Sequence, residues 1–376
     1  MDTVTQGLLG AVSAQLGFRQ RIGRDATWAA AAVALLPDLD IFVVPLLELT
    51  GAEVGDAAIS RYHRGLSHSL LMVPVIAAVA AGVWWWLRRR AARRTRRGAA
   101  GQGGEGGLPA GPGRGRPPPF ALLYACCFVA ALTHPLLDWC TSYGTQLLSP
   151  ITDTRYAIDA VPIIDVIYTP LLILTLLACY LIRKLKPDPR RATLIVGWTG
   201  FALSVAYLGA GRAMHDLAAR RARQLAAGHQ VLAANAYPAL GTIFLWRTVV
   251  EADDRWLVTR LRPLSRADPA TLRQEAAPKV SNGWVRRAWR LPDVQTFQWF
   301  AMGQVRASCE TLDGRHVVRF HDMRYGGRTE SVDGLWSLEV IFAADGSLLG
   351  VSRRRHYRRE NFGRLLKQAW DDIWSP

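Results

Sequence analysis

The sequence predicts an α-helical membrane domain of about five membrane-embedded helices, followed by a small α+β soluble C-terminal domain. Long stretches without Asp, Glu, Lys or Arg are concentrated in residues 26–211, whereas residues 212–376 contain short runs of alternating apolar and polar side chains. Half of the 376 residues are hydrophobic although the net charge is +16, so the apolar and charged residues are segregated along the chain. This composition excludes a disordered chain, and five cysteines without paired spacing exclude a disulfide scaffold.

Five segments have the length needed to cross a bilayer, which is about 20 residues. Ser69–Leu87 has the clearest pattern, because it ends in Trp84–Trp86 and is followed by Arg88–Arg90, an aromatic belt and a basic stop. Ala26–Leu47 is interrupted by Pro37-Asp38-Leu39-Asp40. The other three segments are Phe120–Leu137, Val166–Ile182 and Ala192–Gly211. We therefore expect residues 1–211 to form the membrane domain and residues 212–376 the soluble domain.

The distribution of Lys and Arg among the short loops predicts the orientation, because cytoplasmic loops are enriched in positive charge. Residues 19–24 contain three Arg, residues 88–119 contain nine, and residues 183–191 contain five Lys or Arg. Loops 48–68 and 138–165 contain two Lys or Arg residues and one, respectively. We expect the first three loops on the cytoplasmic side, and the other two, with the C-terminal domain, on the extracytoplasmic side.

Residues 88–119 form a tract of Gly, Pro and Arg that is typical of a disordered basic linker. Its charge suits anionic lipid head groups, so the lipid bilayer is the expected partner. No aromatic residue is interleaved among these arginines to stack on bases, which argues against nucleic acid as a partner. The sequence does not identify a protein partner.

The region after Gly211 has the pattern of a small soluble domain. Arg212–Gln230 has the composition of an amphipathic helix. Alternating β-branched and aromatic residues predict strands at Thr242–Val250, Arg255–Arg262, Arg315–Phe320 and Leu335–Phe342. We expect one antiparallel sheet with helices at either end. His316 and His321 lie five apart on a strand and thus face opposite sides, which argues against a metal site there.

Ionisable residues within an apolar membrane domain are costly and indicate function. Asp38 and Asp40 would diverge by about 200° on an unbroken helix. We therefore expect the helix to break after Pro37, so that both carboxylates face one cavity. The motif His63-Arg64-Gly65-Leu66-Ser67-His68, at the start of the second span, adds two imidazoles and a guanidinium.

A second group of ligands is predicted on the third span. His134 and Asp138 are four residues apart, so they share one face of a helix, the spacing by which one helix offers two metal ligands. Imidazole and carboxylate ligands without thiolates favour Zn²⁺ or Mn²⁺, as one or two ions. We therefore predict a divalent metal held by six residues: Asp38, Asp40, His63, His68, His134 and Asp138.

In their order and spacing, these motifs resemble those of the LexA-binding, inner-membrane-associated hydrolase family, also described as predicted membrane-bound metal-dependent hydrolases. The resemblance covers about residues 1–182 and includes Met1–Gln6, Gly10 and Ser142–Gln146. It implies a bacterial or archaeal inner-membrane protein, distantly related to the helical fold of zinc-dependent phospholipase C. Many relatives have Thr-His where this chain has Thr5-Gln6. The resemblance therefore implies either a missing metal ligand or a polar role for Gln6.

The resemblance implies a hydrolase, and metal-assisted hydrolysis is a mechanism that uses these residues. A phosphoester is the favoured substrate, because a site at head-group depth meets phospholipids or lipid-linked phosphates first. Arg64 or Arg155 can hold a phosphate oxygen, and Asp38 or Asp165, which opens the fourth span, can act as general base. The predicted catalytic residues are Asp38, Asp165 and Arg64. The alternative is a non-enzymatic membrane protein for ion or proton passage, or one that binds a regulator. Only the first span is broken, whereas transporters usually have interrupted helices in matching halves.

Overall fold

The computed structural model describes residues 1–50, 62–101, 118–265, 271–326, 328–355 and 371, and it confirms the predicted fold class. A helical half precedes two small antiparallel sheets. The helices of this half are α1 (Thr3–Ala14), α2 (Phe18–Ile22), α3 (Asp25–Leu35), α4 (Val43–Leu49), α5 (Val73–Gly101), α6 (Phe120–Trp139), α7 (Tyr168–Leu185) and α8 (Arg190–Leu225). Two short 3₁₀ helices, Leu36–Phe42 and Leu66–His68, complete it.

Four segments among the described residues are long and apolar enough to cross a membrane: Asp25–Leu49, α6, α7 and α8. The predicted span Ser69–Leu87 is not among them. The helix there begins only at Val73, so its charge-free part before Arg88 is about 22 Å long at about 1.5 Å per residue. A bilayer hydrocarbon core is about 30 Å thick. The charge-free part alone is therefore shorter than the hydrocarbon core, whereas α5 as a whole has 29 residues.

The first part of the predicted linker, residues 88–119, is helical because α5 continues to Gly101. The guanidinium carbons of Arg89 and Arg90 lie 3.5 and 3.8 Å from the ring centroids of Trp85 and Trp86, each four residues earlier. Such cation–π pairs at helical spacing stabilise the helix beyond its apolar part. Residues 102–117 of the predicted linker lie outside the described residues.

The first helix lies inside the helical half, where it packs against α3, α6 and α7. Gly10 permits the close contact with α3, because a Cβ atom there would lie 2.5 Å from the Cβ of Ala34 and 2.6 Å from the carbonyl oxygen of Ala30. Small residues allow helices to approach closely in membranes. This packing brings together the start of α1, the end of α3 and the end of α6.

The C-terminal part contains two four-stranded sheets, whereas the sequence predicted a single sheet. The first is formed by β1 (Val231–Pro238), β2 (Trp246–Ala252), β3 (Arg255–Leu261) and β4 (Gln274–Pro278). The second follows α9 (Gly283–Ala288) and α10 (Pro292–Phe300) and is formed by β5 (Val305–Leu312), β6 (Arg315–Asp322), β7 (Trp336–Phe342) and β8 (Leu348–Arg355). The four predicted strands largely coincide with β2, β3, β6 and β7. The four edge strands β1, β4, β5 and β8 were not predicted. Of these, β1 and β4 are rich in Ala rather than β-branched residues.

The two parts of the chain share a hydrophobic core. Helix α8 runs unbroken past the predicted boundary between residues 211 and 212, and the first sheet packs on its C-terminal portion. Buried residues of one cluster extend from α1 and α6 through α8 into the sheet: Leu9, Val12, Leu137, Tyr168, Ala218, Ile243 and Trp246. The first C-terminal sheet is therefore held against the helical half by apolar packing.

Candidate metal site

Three segments converge at one end of the helical half. Helix α6 presents His134 and Asp138 from one face of its last two turns, as their spacing predicts. The 3₁₀ helix Leu36–Phe42 follows α3 directly and carries Asp38. The 3₁₀ helix Leu66–His68 ends with His68. The chain thus brings side chains that are far apart in sequence into one buried cluster.

In this cluster, two imidazoles lie between two carboxylates. The Nε2 atom of His68 is 3.5 Å from Oδ1 of Asp38 and 3.4 Å from Oδ2 of Asp138. The Nε2 atom of His134 is 3.4 and 3.6 Å from the same two oxygens. Hydrogen bonds are shorter, about 2.7–3.2 Å. Ligand atoms bound about 2.0–2.1 Å from a tetrahedral ion are about 3.4 Å apart, so each imidazole–carboxylate separation suits two ligands of one ion.

Three of the atoms that face one another have no hydrogen-bond partner among the described residues. The Nε2 atoms of His68 and His134 and the Oδ2 atom of Asp138 are all buried in this state. The ligand atoms of Asp38, His68 and His134 lie within 4.8 Å of one another. A buried polar atom without a partner costs about 1–3 kcal/mol. Two imidazoles and two carboxylates are a donor set that fits a divalent cation, which would satisfy all of these atoms together.

The Nδ1 atom of each histidine, which does not face the cluster, contacts a polar group. His134 Nδ1 lies 2.6 Å from the carbonyl oxygen of Ala34, at the end of α3. His68 Nδ1 lies 3.0 Å from Oγ of Ser67 and 3.2 Å from Oδ2 of Asp40. Partners of this kind orient an imidazole and leave its Nε2 lone pair for a metal.

Asp40 and His63 lie behind the cluster rather than in it, although the sequence predicted both as ligands. Asp40 contacts Nδ1 of His63 at 2.8 Å and accepts hydrogen bonds from Oγ of Ser67 at 2.8 Å and the backbone N–H of Arg64 at 3.1 Å. Residues two apart on a 3₁₀ helix diverge by about 240°. Asp38 therefore faces the cluster while Asp40 faces residues 63–68, so the two carboxylates do not share one cavity.

Arg64 contacts Oδ1 of Asp138, the carboxylate oxygen that does not face the imidazoles. Its Nη2 atom lies 3.1 Å from Oδ1 of Asp138, and its Nη1 donates to Oγ1 of Thr141 at 2.8 Å. Gln6 donates to the same Oδ1 at 3.0 Å, as does the amino group of Met1. These donors occupy Oδ1 and leave Oδ2 directed at the imidazoles. Gln6 thus has the polar role that the sequence left open.

The structure places Asp165 apart from this cluster. Its Oδ1 accepts hydrogen bonds from the backbone N–H groups of Ile167 and Tyr168 at 2.8 Å each, and both carboxylate oxygens accept from the hydroxyl of Tyr207 on α8. Burial raises the pKa of Asp165. These are the contacts of a residue that caps the start of α7. A general base must reach the reacting atoms, so the catalytic role predicted for Asp165 has no geometric support.

Tyr143 connects the cluster to the C-terminal domain, a role that the sequence did not reveal. Its ring centroid lies 5.6 Å from that of His63 and 5.2 Å from that of Phe300 on α10. The guanidinium carbons of Arg64 and Arg155 lie 4.6 and 5.3 Å from the same ring. Burial lowers the pKa of Arg155 to about 10, with the nearby guanidinium groups of Arg324 and Arg64 acting in the same direction. The sequence drew attention to the motif Ser142–Gln146, which contains Tyr143, but it did not indicate which residues Tyr143 contacts.

The fold and the cluster define a multi-helix membrane protein that encloses a histidine–carboxylate group able to hold a metal ion. A family model described as the YdjM inner membrane protein matches residues 1–216, more than half of the chain. The chain belongs to this family of inner membrane proteins, and the family resemblance drawn from its motifs is confirmed. No curated protein and no solved structure matches the chain.

Proposed function

We propose that this inner membrane protein is a metal-dependent hydrolase that cleaves a phosphoester at the depth of the lipid head groups. The observation that carries the proposal is the cluster of Asp38, His68, His134 and Asp138, in which the histidine nitrogens and the carboxylate oxygens lie 3.4–3.6 Å apart. We assign these four residues as ligands of one divalent ion, with Zn²⁺ or Mn²⁺ favoured by the imidazole and carboxylate donors. Such an ion makes a bound water acidic and stabilises charge on an attacked ester.

Asp38 marks the side from which a substrate reaches the cluster. Its side chain is 15% exposed, whereas those of His68, His134 and Asp138 are at most 1% exposed. We therefore place the ester beside Asp38. This carboxylate is also adjacent to any water at the cluster, and its Oδ2 atom has no hydrogen-bond partner in the part of the chain that the structure describes.

His63 is the side chain best placed to exchange a proton with the leaving group. Its Nδ1 atom lies 2.8 Å from Asp40, its ring centroid is 5.7 Å from that of His68, and its side chain is 21% exposed. An imidazole oriented by a carboxylate is a common general acid–base arrangement. We assign this role to His63, with Asp40 as the orienting residue, in place of the role predicted for Asp165.

Two buried arginines support a phosphate-containing substrate. Arg64 contacts Asp138 through Nη2, and no described residue forms a hydrogen bond with its Nε atom. Arg155 lies against the same Tyr143 ring as Arg64. Guanidinium groups bind phosphate oxygens through charge-assisted hydrogen bonds. A phosphate oxygen beside Arg64 would give the Nε–H group of Arg64 an acceptor.

Apolar surface beside the cluster favours a lipid substrate. Leu39, Phe42 and Leu66 are 54%, 54% and 49% exposed, and they belong to the two 3₁₀ helices that carry Asp38 and His68. Exposed apolar side chains of a membrane protein face acyl chains. A phospholipid or lipid-linked phosphate would thus keep its chains on this surface while its head group reaches Asp38.

The test measures metal content and hydrolysis for the full-length protein in lipid nanodiscs. We expect about one ion per chain and cleavage of a phospholipid or a lipid-linked phosphate. His134→Ala should weaken metal binding by more than about 100-fold, beyond the effect of changing a residue behind a ligand, and should abolish cleavage. His316→Ala is the control, because His316 stacks on Trp284 in the C-terminal domain.

Equal metal content in the wild type and both variants would contradict the assigned ligands. Stoichiometric metal without cleavage of any phosphoester in the panel would contradict the enzyme and favour a metal-binding membrane protein. Proton flux through metal-free protein in liposomes would instead favour the ion-passage alternative.

A further inference from the structure

Arg324 is a buried arginine of the C-terminal domain that reaches the helical half. It lies just after β6, and its side chain is fully buried. Its Nε and Nη2 atoms donate to the two carboxylate oxygens of Asp322 at 3.0 and 2.7 Å. Its Nη1 atom donates to the carbonyl oxygens of Ser142 and Tyr143, each at 3.0 Å. One guanidinium therefore binds both its own domain and the connection between α6 and α7.

Further hydrogen bonds lead from that connection to the candidate metal ligand. Thr141, directly before Ser142, donates through Oγ1 to the carbonyl oxygen of Asp138 at 2.8 Å. The same Oγ1 accepts a hydrogen bond from Nη1 of Arg64 at 2.8 Å, and Nη2 of Arg64 lies 3.1 Å from Oδ1 of Asp138. A continuous set of contacts thus runs from Arg324 through residues 141–143 to Asp138.

The connection between α6 and α7 contains isolated β-bridges, which pair Thr141 with Val161 and Thr145 with Tyr156. Backbone hydrogen bonds fix residues 140, 145 and 146 of this connection. The carbonyl groups of Ser142 and Tyr143, which lie between these residues, accept instead from Arg324. Charge-assisted hydrogen bonds from a buried guanidinium are strong and little screened by solvent. The ring of Phe300, 5.0 Å from the guanidinium carbon of Arg324 and 5.2 Å from Tyr143, packs beside them.

We propose that Arg324 is a positioning residue through which the C-terminal domain sets the metal affinity of the helical half. It holds residues 141–143, which fix Arg64 and Asp138, and so directs Oδ2 of Asp138 towards the two imidazoles. The proposal rests on the metal site under Proposed function. It assigns to the C-terminal domain a role in the strength of metal binding, beyond covering the site.

The experiment measures Co²⁺ binding to the full-length protein from its visible absorption, which reports the ligand geometry apart from activity. The first variant is Arg324→Gln combined with Asp322→Asn, because removing only one member of the pair would leave a buried charge uncompensated. The second variant is Thr141→Val, which breaks the same path within the helical half. The control is Arg319→Gln on β6, because Arg319 pairs with Glu310 and Glu339 and Glu339 keeps its ion pair with Arg354.

We expect the double variant and Thr141→Val each to weaken Co²⁺ binding by about tenfold, the lower end of effects from residues behind a ligand, and to alter the spectrum. Because both act on one path, their combination should weaken binding by much less than the product of the two effects. The control should match the wild type. If the double variant does not fold, Arg324→Lys replaces it, since a lysine keeps the charge beside Asp322 but cannot reach both carbonyl groups.

Wild-type affinity and spectrum in the folded Arg324 variant would overturn the proposal and leave Arg324 as a residue that only joins the two domains. Fully multiplicative effects with Thr141→Val would overturn the path through Thr141. Absence of Co²⁺ binding in the wild type is a different result, because it would contradict the metal site itself.

Discussion

The two ends of the helical half differ in how their charged and polar side chains are paired. At one end, Asp25 accepts hydrogen bonds from Nε of Arg88 at 2.8 Å and from the indole of Trp84 at 3.0 Å. At the other end, His68, His134 and Asp138 each have a buried atom without a hydrogen-bond partner among the described residues. Most buried polar groups are paired within a protein, so each exception needs an explanation. The first end is therefore a paired contact between helices, whereas the second carries the candidate metal ligands Asp38, His68 and His134.

The end that contains Asp25 and Arg88, called the paired end below, also brings together residues from or beside the three basic loops. Arg88 contacts Asp25, Gln20 donates to the carbonyl oxygen of Arg190 at 2.7 Å, and Arg183 contacts Gln15. The sequence predicted that all three loops lie on the cytoplasmic side, and these contacts are compatible with a shared side. The side itself stays a prediction.

The largest expected effect is on the labelling of single thiols from outside the cell, because a thiol on one side of the membrane either reacts with an impermeant reagent or does not. In a Cys309→Ser background, chosen because the other four cysteines are buried, we place a thiol at exposed Thr154 or exposed Asp188. Thr154→Cys should react with a membrane-impermeant reagent in intact cells, and Asp188→Cys only after lysis. The reverse result would put the candidate site on the cytoplasmic side, and reaction of both thiols would show that the two ends do not face opposite compartments.

A smaller effect is expected behind the cluster. Asp40→Asn should weaken metal binding by about 10–100-fold, because Asp40 supports Nδ1 of His68 but does not face the ion. Calorimetric titration with Zn²⁺ measures this change. Asp25→Asn is the matched control and should bind as the wild type does. A loss as large as that of His134→Ala would make Asp40 a direct ligand, as the sequence predicted.

The smallest effect is expected at the paired end. Asp25→Asn should lower the free energy of unfolding by about 0.2–1 kcal/mol, because Asp25 and Arg88 are 46% and 22% exposed and solvent weakens their attraction. Thermal unfolding in detergent measures it, and about 1 M salt should remove most of the difference from the wild type. A loss of bound metal in this variant would contradict the separation of the two ends.

Local spacing was enough to predict part of the site. The four-residue interval placed His134 and Asp138 on one helix face, and Pro37 marked the break that frees Asp38. The same reasoning grouped Asp40 with Asp38, whereas in the structure Asp40 contacts Nδ1 of His63 and of His68. The position of Asp165 at the start of a span did not specify its neighbour, which is Tyr207 of α8.

Contacts across long sequence separations were beyond the reach of local patterns. Arg324 lies 182 residues after Ser142, and nothing in its local sequence indicates that partner. The division into two sheets depends on pairings of edge strands with little β propensity, such as Gln274–Pro278. The predicted span began at Ser69, whereas the helix begins at Val73, because an apolar run does not show where a helix begins.

The order of the ligands along the chain has a consequence for biosynthesis. Asp38 leaves the ribosome roughly 100 residues before His134, whose Nε2 atom faces it across the cluster. Until α6 is inserted, Asp38 lacks this partner, and a charge within the first apolar segment is costly in a bilayer. Asp40 differs, because its partners His63, Arg64 and Ser67 are made soon after it. On the proposed ligand set, metal binding follows the insertion of α6, because that helix carries both His134 and Asp138.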